Sequence, residues 1–154
     1  MKRLLVPAAA ATAAVLVFAV VNATAGSSRA KAGGSIHVIE HATTDAVTNG
    51  TAGDSAGNIL TFANDVYDAA DAHKIGSDQG YCVRTVVGAA WECNWTTFLP
   101  GGQITVEGPF SDTGDTVVAV TGGTGAYRNT RGSMQLIYHN PAGTEFDFVF
   151  NLVG

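Results

Sequence analysis

The segment Gln103–Gly108 alternates apolar and polar residues, and similar runs recur between glycine-rich stretches along most of the chain. Its Ile104 and Val106 fall on one side of an extended backbone, and its polar residues fall on the other. Alternation with a period of two predicts half-buried β-strands, and glycine clusters such as the one at 122–125 predict tight turns between them. The chain is therefore predicted to be all-β.

Eight strands are predicted, with a loop over residues 43–56 and at most one helical turn over residues 65–74. Short sequential strands without a long crossover favour an up-and-down antiparallel sheet, and closing that sheet removes its exposed edges. Periodicity alone fits either a closed barrel or a sandwich. The predicted strands are Ser35–Ala42, Asn58–Ala63, Ile75–Val87, Ala90–Leu99, Gln103–Gly108, Thr116–Thr121, Ala126–His139 and Thr144–Val153.

The beginning of the chain has the pattern of a secretory signal peptide. Lys2 and Arg3 precede an uncharged apolar run, and the small residues of Ala23–Ala25 follow it. This pattern predicts a signal peptide over residues 1–25, cleavage before Gly26 and a secreted, extracellular protein. An uncleaved membrane anchor is the alternative. Residues 26–34 are predicted to be a flexible lead-in, and residues 35–154 to form a single domain.

The charge balance excludes some classes of partner. The chain has 8 Lys and Arg against 13 Asp and Glu, a formal net charge of −5, and loss of Lys2 and Arg3 makes it more negative. An acidic protein without basic clusters is a poor ligand for nucleic acids and for anionic membranes. No nucleic-acid partner and no stable membrane anchor are therefore expected.

Cys82 and Cys93 are the only cysteines, and both fall in one predicted hairpin. A turn centred between Val87 and Gly88 places Cys82 directly opposite Cys93, at a separation that a disulfide accepts. An oxidising compartment favours that disulfide, and a free Cys82 facing a ligand is the alternative. Two cysteines and scattered histidines provide no metal-ligand spacing, so neither a metal nor a cofactor is expected.

The strand that carries Cys93 places Trp91, Cys93 and Trp95 on one face. If that face points inward, both tryptophans line the interior, where they either fill the core or form an aromatic wall for a flat hydrophobic ligand. Asp78, Arg84 and Arg128 are candidates for an ion pair in the lumen or at its rim.

Several spaced motifs resemble the allene oxide cyclase family, which is related to the plant dirigent proteins. They are Leu60–Tyr67, Ile75–Gly76 with Gly80–Val83, Glu107–Phe110, and Gly122–Gly132, the last being most like the dirigent pattern. The resemblance implies an eight-stranded antiparallel up-and-down β-barrel of calycin-like type, and it implies a homotrimer. It also places Cys82 in the lumen.

The resemblance also implies roles for individual residues. Glu40 matches a glutamate that polarises the substrate, Asn64 an asparagine that helps to hold a bound water, and Cys82 a lumen cysteine. Phe110 stands where the family has a lumen tyrosine. The matches at Glu40, Asn64 and Cys82 make these three residues the candidate catalytic residues. The candidate ligand-binding residues are Leu60, Phe62, Trp91, Trp95 and Phe110.

Three functions fit this pattern. The first is a secreted barrel that binds a hydrophobic small molecule and acts on it as an isomerase of the cyclase type, mainly through conformational restraint and placed charge. The second is a dirigent-like guide that sets the stereochemistry of an intermediate made elsewhere. The third is a non-catalytic binder comparable in role to a lipocalin.

Overall fold

The structure is a computed structural model that describes residues 33–49 and 53–153. The predicted signal peptide and most of the predicted lead-in lie outside these residues. No helix in the described part of the chain has both the length and the apolar character needed to cross a bilayer. The elements are β1 (Ser35–His41), β2 (Ala46–Asn49), β3 (Ile59–Phe62), β4 (Asp65–Asp68), β5 (Lys74–Val86), β6 (Ala90–Leu99), β7 (Gly102–Ser111), β8 (Thr116–Gly123), a 3₁₀ helix (Gly125–Tyr127), β9 (Arg131–Tyr138) and β10 (Glu145–Val153).

The strands form one antiparallel sheet that closes into a barrel. Its circuit runs β1, β4, β5, β6, β7, β8, β9, β10 and back to β1. β3 and β4 are two parts of one interrupted strand, because both pair with β5. β2 follows β1 along the chain and pairs with β3. The barrel therefore has eight strand positions, and the predicted fold class is confirmed.

Three local predictions were wrong. The segment 43–56, predicted to be a loop, contains β2. The segment 65–74, predicted to hold at most a helical turn, begins with β4, which pairs with β1 on one side and β5 on the other. Residues 126–130 were predicted as part of a strand, but residues 126 and 127 belong to a short 3₁₀ helix (Gly125–Tyr127) and β9 begins only at Arg131. Alternation is too weak a signal in such short segments, where pairing with neighbouring strands decides the structure.

The barrel interior is filled mostly by large apolar side chains. Phe146, Phe148 and Phe150 of β10 point inward and are buried, as are Trp91 and Trp95 of β6. Aromatic rings in this core meet edge to face or tilted, the geometry that their quadrupoles favour. The interior is thus a packed core that leaves only limited space.

The predicted disulfide is present. Cys82 lies directly opposite Cys93 in the β5–β6 hairpin, the two Cα atoms are 4.0 Å apart, and both side chains are buried inside the barrel. Neither residue has a free thiol in this state. The alternative of a free Cys82 facing a ligand is therefore not what the structure shows.

Replacing both Cys82 and Cys93 with serine is expected to lower the free energy of unfolding by about 3 kcal/mol, because the disulfide closes a short loop in the unfolded chain. Urea unfolding of both proteins measures the difference. Under reducing conditions the stability of the unmodified protein should fall toward that of the variant, whose own stability should not change. Equal stability of the two proteins under oxidising conditions would contradict this expectation.

Candidate active site

The candidate site lies where two neighbouring strands are interrupted at the same level of the barrel. β1 ends at His41, directly after Glu40, and Asn64 lies in the break between β3 and β4. Asp45 precedes β2, and Asp78 lies on β5. These interruptions let side chains from four segments meet inside the barrel. They bring together Glu40 and Asn64, two of the three residues predicted to be catalytic.

The side-chain amide of Asn64 makes five hydrogen bonds, three through its oxygen and two through its nitrogen. Its Oδ1 accepts hydrogen bonds from the backbone N–H of Thr43 at 3.1 Å, the backbone N–H of Thr44 at 3.0 Å and the hydroxyl of Thr44 at 2.9 Å. Its Nδ2 donates to Glu40 Oε1 and to Asp45 Oδ1, both at 2.8 Å. An amide nitrogen has only two hydrogens to donate, so both are used. Asn64 therefore positions two carboxyl groups, and its amide has no donor left for a bound water.

Glu40 and Asp78 form a buried pair of carboxyl groups, 6% and 2% exposed respectively. Burial raises the pKa of Glu40 to about 7, partly offset by its hydrogen bonds with Asn64 and Asp78. Burial and the charge of Glu40 raise the pKa of Asp78 to about 10. Two adjacent buried carboxyl groups do not both ionise, because like charges in a low dielectric repel strongly. At neutral pH Asp78 is therefore protonated, while Glu40 is poised between its two forms.

The hydrogen bonds of Asp78 agree with this assignment. Its Oδ1 accepts from the backbone N–H of Asn64 at 3.3 Å. Its Oδ2 is buried and has no donor among the described residues. A proton on Asp78 gives this oxygen a hydrogen bond to Glu40. One proton held between the two groups thus satisfies a carboxyl oxygen that would otherwise have no partner.

Asp45 adds a third carboxyl group to the site. Burial raises its pKa, and the hydrogen bond from Asn64 acts in the opposite direction. The charge of His41 acts in the opposite direction to burial and lowers the pKa of Glu40. At neutral pH the three carboxyl groups therefore carry a net negative charge, although Asp78 keeps its proton. Nowhere in the described part of the chain do three His, Cys, Asp or Glu side chains have an arrangement that could hold a metal ion.

An apolar cavity lies beside the carboxyl groups, and the space in it that is open to the centre of a water molecule is about 40 Å³. Because this figure counts only positions for the centre of a water molecule, the space that the atoms of a ligand can fill is larger. Four of the five predicted ligand-binding residues line the cavity, together with both half-cystines. The lining consists of Glu40, Asp45, Leu60, Phe62, Cys82, Cys93, Trp95, Phe110, Leu136, Phe146 and Phe148.

Trp91 is the predicted ligand-binding residue that does not line this cavity. The guanidinium carbon of Arg84 lies 3.9 Å from the centre of its ring, and its indole nitrogen donates to Asp112 Oδ1 at 3.0 Å. Of the candidates for an ion pair, Arg84 pairs with Asp54 and Asp112 and not with Asp78. Trp91 and Arg84 therefore lie in a separate polar cluster on the inner face.

Sequence reasoning did not identify Asp45, Leu136, Phe146 or Phe148 as site residues, and it assigned Asp78 a different partner. Asp78 had a usable signal: it lies an even number of residues from the inward-facing Cys82, so strand parity places both on one face. Asp45 had none, because it lies in an irregular segment between two strands.

The structure belongs to a class of closed antiparallel barrels with known members. No family model matches this sequence, and no curated protein matches it. Solved structures do match the fold. A pyocyanin demethylase has 22% identity and a TM-score of 0.63, covering 75% of this chain and 99% of that chain. A pterocarpan synthase dirigent protein has 15% identity and a TM-score of 0.64, covering 78% and 92%.

A further neighbour is AbnU, an exo-specific intermolecular Diels-Alderase, with 18% identity and a TM-score of 0.64, covering 80% of this chain and all of that chain (100%). At these identities the likeness shows the fold alone. It supports the predicted dirigent-like or cyclase-like barrel. The closer resemblance to allene oxide cyclases stays a prediction.

Proposed function

We propose that this protein binds a small, mostly apolar molecule inside the barrel, and that Glu40 exchanges a proton with it. The observation that carries this proposal is the buried Glu40–Asp78 pair at the polar edge of an apolar cavity. A general base works best with a pKa near the operating pH, and the pKa of Glu40 is raised to about 7. The carboxyl groups are also positioned in advance by Asn64.

The chemistry proposed is an isomerisation, with cyclisation as one form of it. Glu40 takes a proton from one atom of the substrate and returns it to another, so the reaction needs no oxidant and no cofactor. Protonated Asp78 donates to Glu40 and stabilises its ionised form. The aromatic walls restrict the substrate to one conformation, and this restriction contributes to the rate acceleration. Cys82 contributes an apolar disulfide surface in this proposal, because it has no thiol to ionise.

A dirigent-like role is the second candidate. It is favoured by the fold shared with the pterocarpan synthase dirigent protein and by the predominance of apolar groups around the cavity. In that role the barrel would only orient an intermediate, and Glu40 would be dispensable for turnover. A lipocalin-like binder would need no turnover at all.

Export of the protein and assembly as a homotrimer are also proposed, the first from the signal-peptide pattern and the second from the sequence resemblance.

Replacing Glu40 with glutamine is expected to abolish turnover of a ligand identified by screening, with a loss of about 100-fold or more, because the base is removed. Binding should stay within about tenfold, because glutamine keeps the size of the side chain and an oxygen that accepts from Asn64. Ligands are found by the change in tryptophan fluorescence on titration. Glu92→Gln, on the exposed face of β6, is the matched control and should leave both quantities unchanged.

Two results would overturn parts of this proposal. Full turnover by the Glu40→Gln variant would exclude proton exchange by Glu40 and favour the dirigent-like role. Failure of every apolar ligand to change the fluorescence or the stability of the protein would exclude ligand binding in the barrel.

A further inference from the structure

Trp95 carries a buried hydrogen-bond donor that the protein does not use. Its side chain is 3% exposed and lines the cavity, yet its indole nitrogen has no hydrogen-bond partner among the described residues. The rings of Phe62 and Phe148 pack against it with centroids 6.4 and 5.9 Å away. An indole nitrogen only donates, and buried tryptophans usually find an acceptor. The unpaired donor of Trp95 is therefore an exception that needs a reason.

Trp91 provides an internal comparison. It lies on the same strand and the same inner face as Trp95, and it is also buried. Its indole nitrogen donates to Asp112 at 3.0 Å. The indole N–H of Trp91 therefore has an acceptor within the protein, whereas that of Trp95 has none among the described residues.

A glycine on the neighbouring strand makes room for Trp95. Gly80 lies directly opposite Trp95, and a Cβ atom at Gly80 would lie 2.3 Å from the Cβ of Trp95. The next opposed pair on the inner face of these strands is Asp78 with Thr97. Thr97 Oγ1 is buried and, like Trp95, has no partner within the described residues. Unpaired polar atoms therefore continue along this wall on the inner face of β5 and β6.

We propose that Trp95 is the hydrogen-bond donor to the ligand, and that the ligand is a neutral molecule with an acceptor oxygen, such as an aromatic or conjugated ketone. This inference rests on the proposed binding function and makes it specific. The oxygen accepts from Trp95 Nε1, while the rest of the ligand contacts the aromatic wall. Carboxylate ligands should bind more weakly, because the site holds three carboxyl groups (Glu40, Asp45 and Asp78) against a single histidine, His41, whose charge acts on Glu40.

Three probes of similar size separate the contributions: acetophenone, ethylbenzene, which has a methylene group in place of the carbonyl, and benzoate. The wild-type protein has two tryptophans and therefore two indole N–H signals in a ¹H–¹⁵N spectrum. Acetophenone should move the Trp95 signal downfield and slow its exchange with solvent, while the Trp91 signal stays in place. Acetophenone should bind about fivefold more tightly than ethylbenzene, as expected for one net hydrogen bond. Benzoate should bind more weakly than either.

The outcomes separate this inference from the proposed function. If acetophenone and ethylbenzene bind equally, or if acetophenone moves other lumen signals and not that of Trp95, the hydrogen bond is excluded and apolar binding stands. If none of the three probes binds, the role of Trp95 is excluded, whereas the proposed binding function is overturned only if every other apolar ligand screened also fails. Trp95→Phe removes the donor and should abolish the preference for acetophenone over ethylbenzene. The wild-type measurement decides the question even if this variant does not fold.

Discussion

Replacing Asn64 with alanine is expected to destabilise the barrel by about 4 kcal/mol. The substitution leaves the backbone N–H groups of Thr43 and Thr44 without their acceptor, and it removes the donor to both Glu40 and Asp45. A buried polar group without a partner costs about 1–3 kcal/mol, and several such groups are created at once. Asn94→Ala on the outer face of β6 should change the free energy of unfolding by less than about 0.5 kcal/mol. Urea unfolding of the three proteins provides the comparison.

Asn64→Asp separates the donor role of Asn64 from its acceptor role. The aspartate keeps oxygens that accept from Thr43 and Thr44, but it cannot donate when ionised and adds negative charge beside Glu40 and Asp45. This variant should therefore be less stable than Asn64→Ala at pH 8 and recover at pH 5, where protonated carboxyl groups can donate. If Asn64→Ala behaved like Asn94→Ala, the network would not be what holds the two interrupted strands together.

The fold and the disulfide were predictable because their signals are local. Alternation along each strand indicates which residues share a face. The turn near Gly88 brings Cys82 opposite Cys93 together with a one-residue register shift between Arg84 and Val86. The closed barrel needed more than this. Periodicity fits a sandwich equally well, and only the family resemblance favoured closure.

The site was predictable only in part, because its residues meet across several strands. Glu40 and Asn64 were found through the resemblance, and strand parity correctly turned Trp91 and Trp95 inward. Parity does not give the level of a residue along the barrel axis, so Trp91 was wrongly grouped with the cavity. The pairing of Glu40 on β1 with Asp78 on β5 crosses the intervening β4, and no pattern within a single strand reports such a contact.

The free energy of unfolding is expected to fall as the pH rises from about 5 to 9. The folded-state pKa values of Glu40 and Asp78 are raised to about 7 and about 10, so the native barrel binds more protons than the unfolded chain over this range. Stability from such groups is fully present below their unfolded pKa values and is lost as the pH rises through the folded ones. For Glu40 the loss is on the order of 3 kcal/mol.

Groups on the outer face set the acid limit of this range. Burial acts to raise the pKa of Asp147, but hydrogen bonds from His37 and His139 outweigh it and lower that pKa. Stability from Asp147 is therefore present above its ordinary pKa and is lost as the pH falls below it. The hydrogen bond to Asp147 raises the pKa of His139, whose contribution is lost at higher pH, in the same direction as that of Glu40. Maximum stability is therefore expected near pH 4, between the ordinary pKa of Asp147 at 3.8 and that of Glu40 at 4.5.

Neutral substitutions at the carboxyl pair test the origin of this dependence. Glu40→Gln should be more stable than the wild type at pH 9 by about 3 kcal/mol and close to it at pH 5. Asp78→Asn should also be stabilising at pH 9, because its amide donates to Glu40 as the protonated acid does. Glu92→Gln should follow the wild-type curve. A wild-type stability that is constant or rising from pH 5 to 9 would contradict the raised pKa values. If the substitutions do stabilise, the barrel retains Glu40 and Asp78 at a cost to its stability, which is typical of groups kept for chemistry rather than for folding.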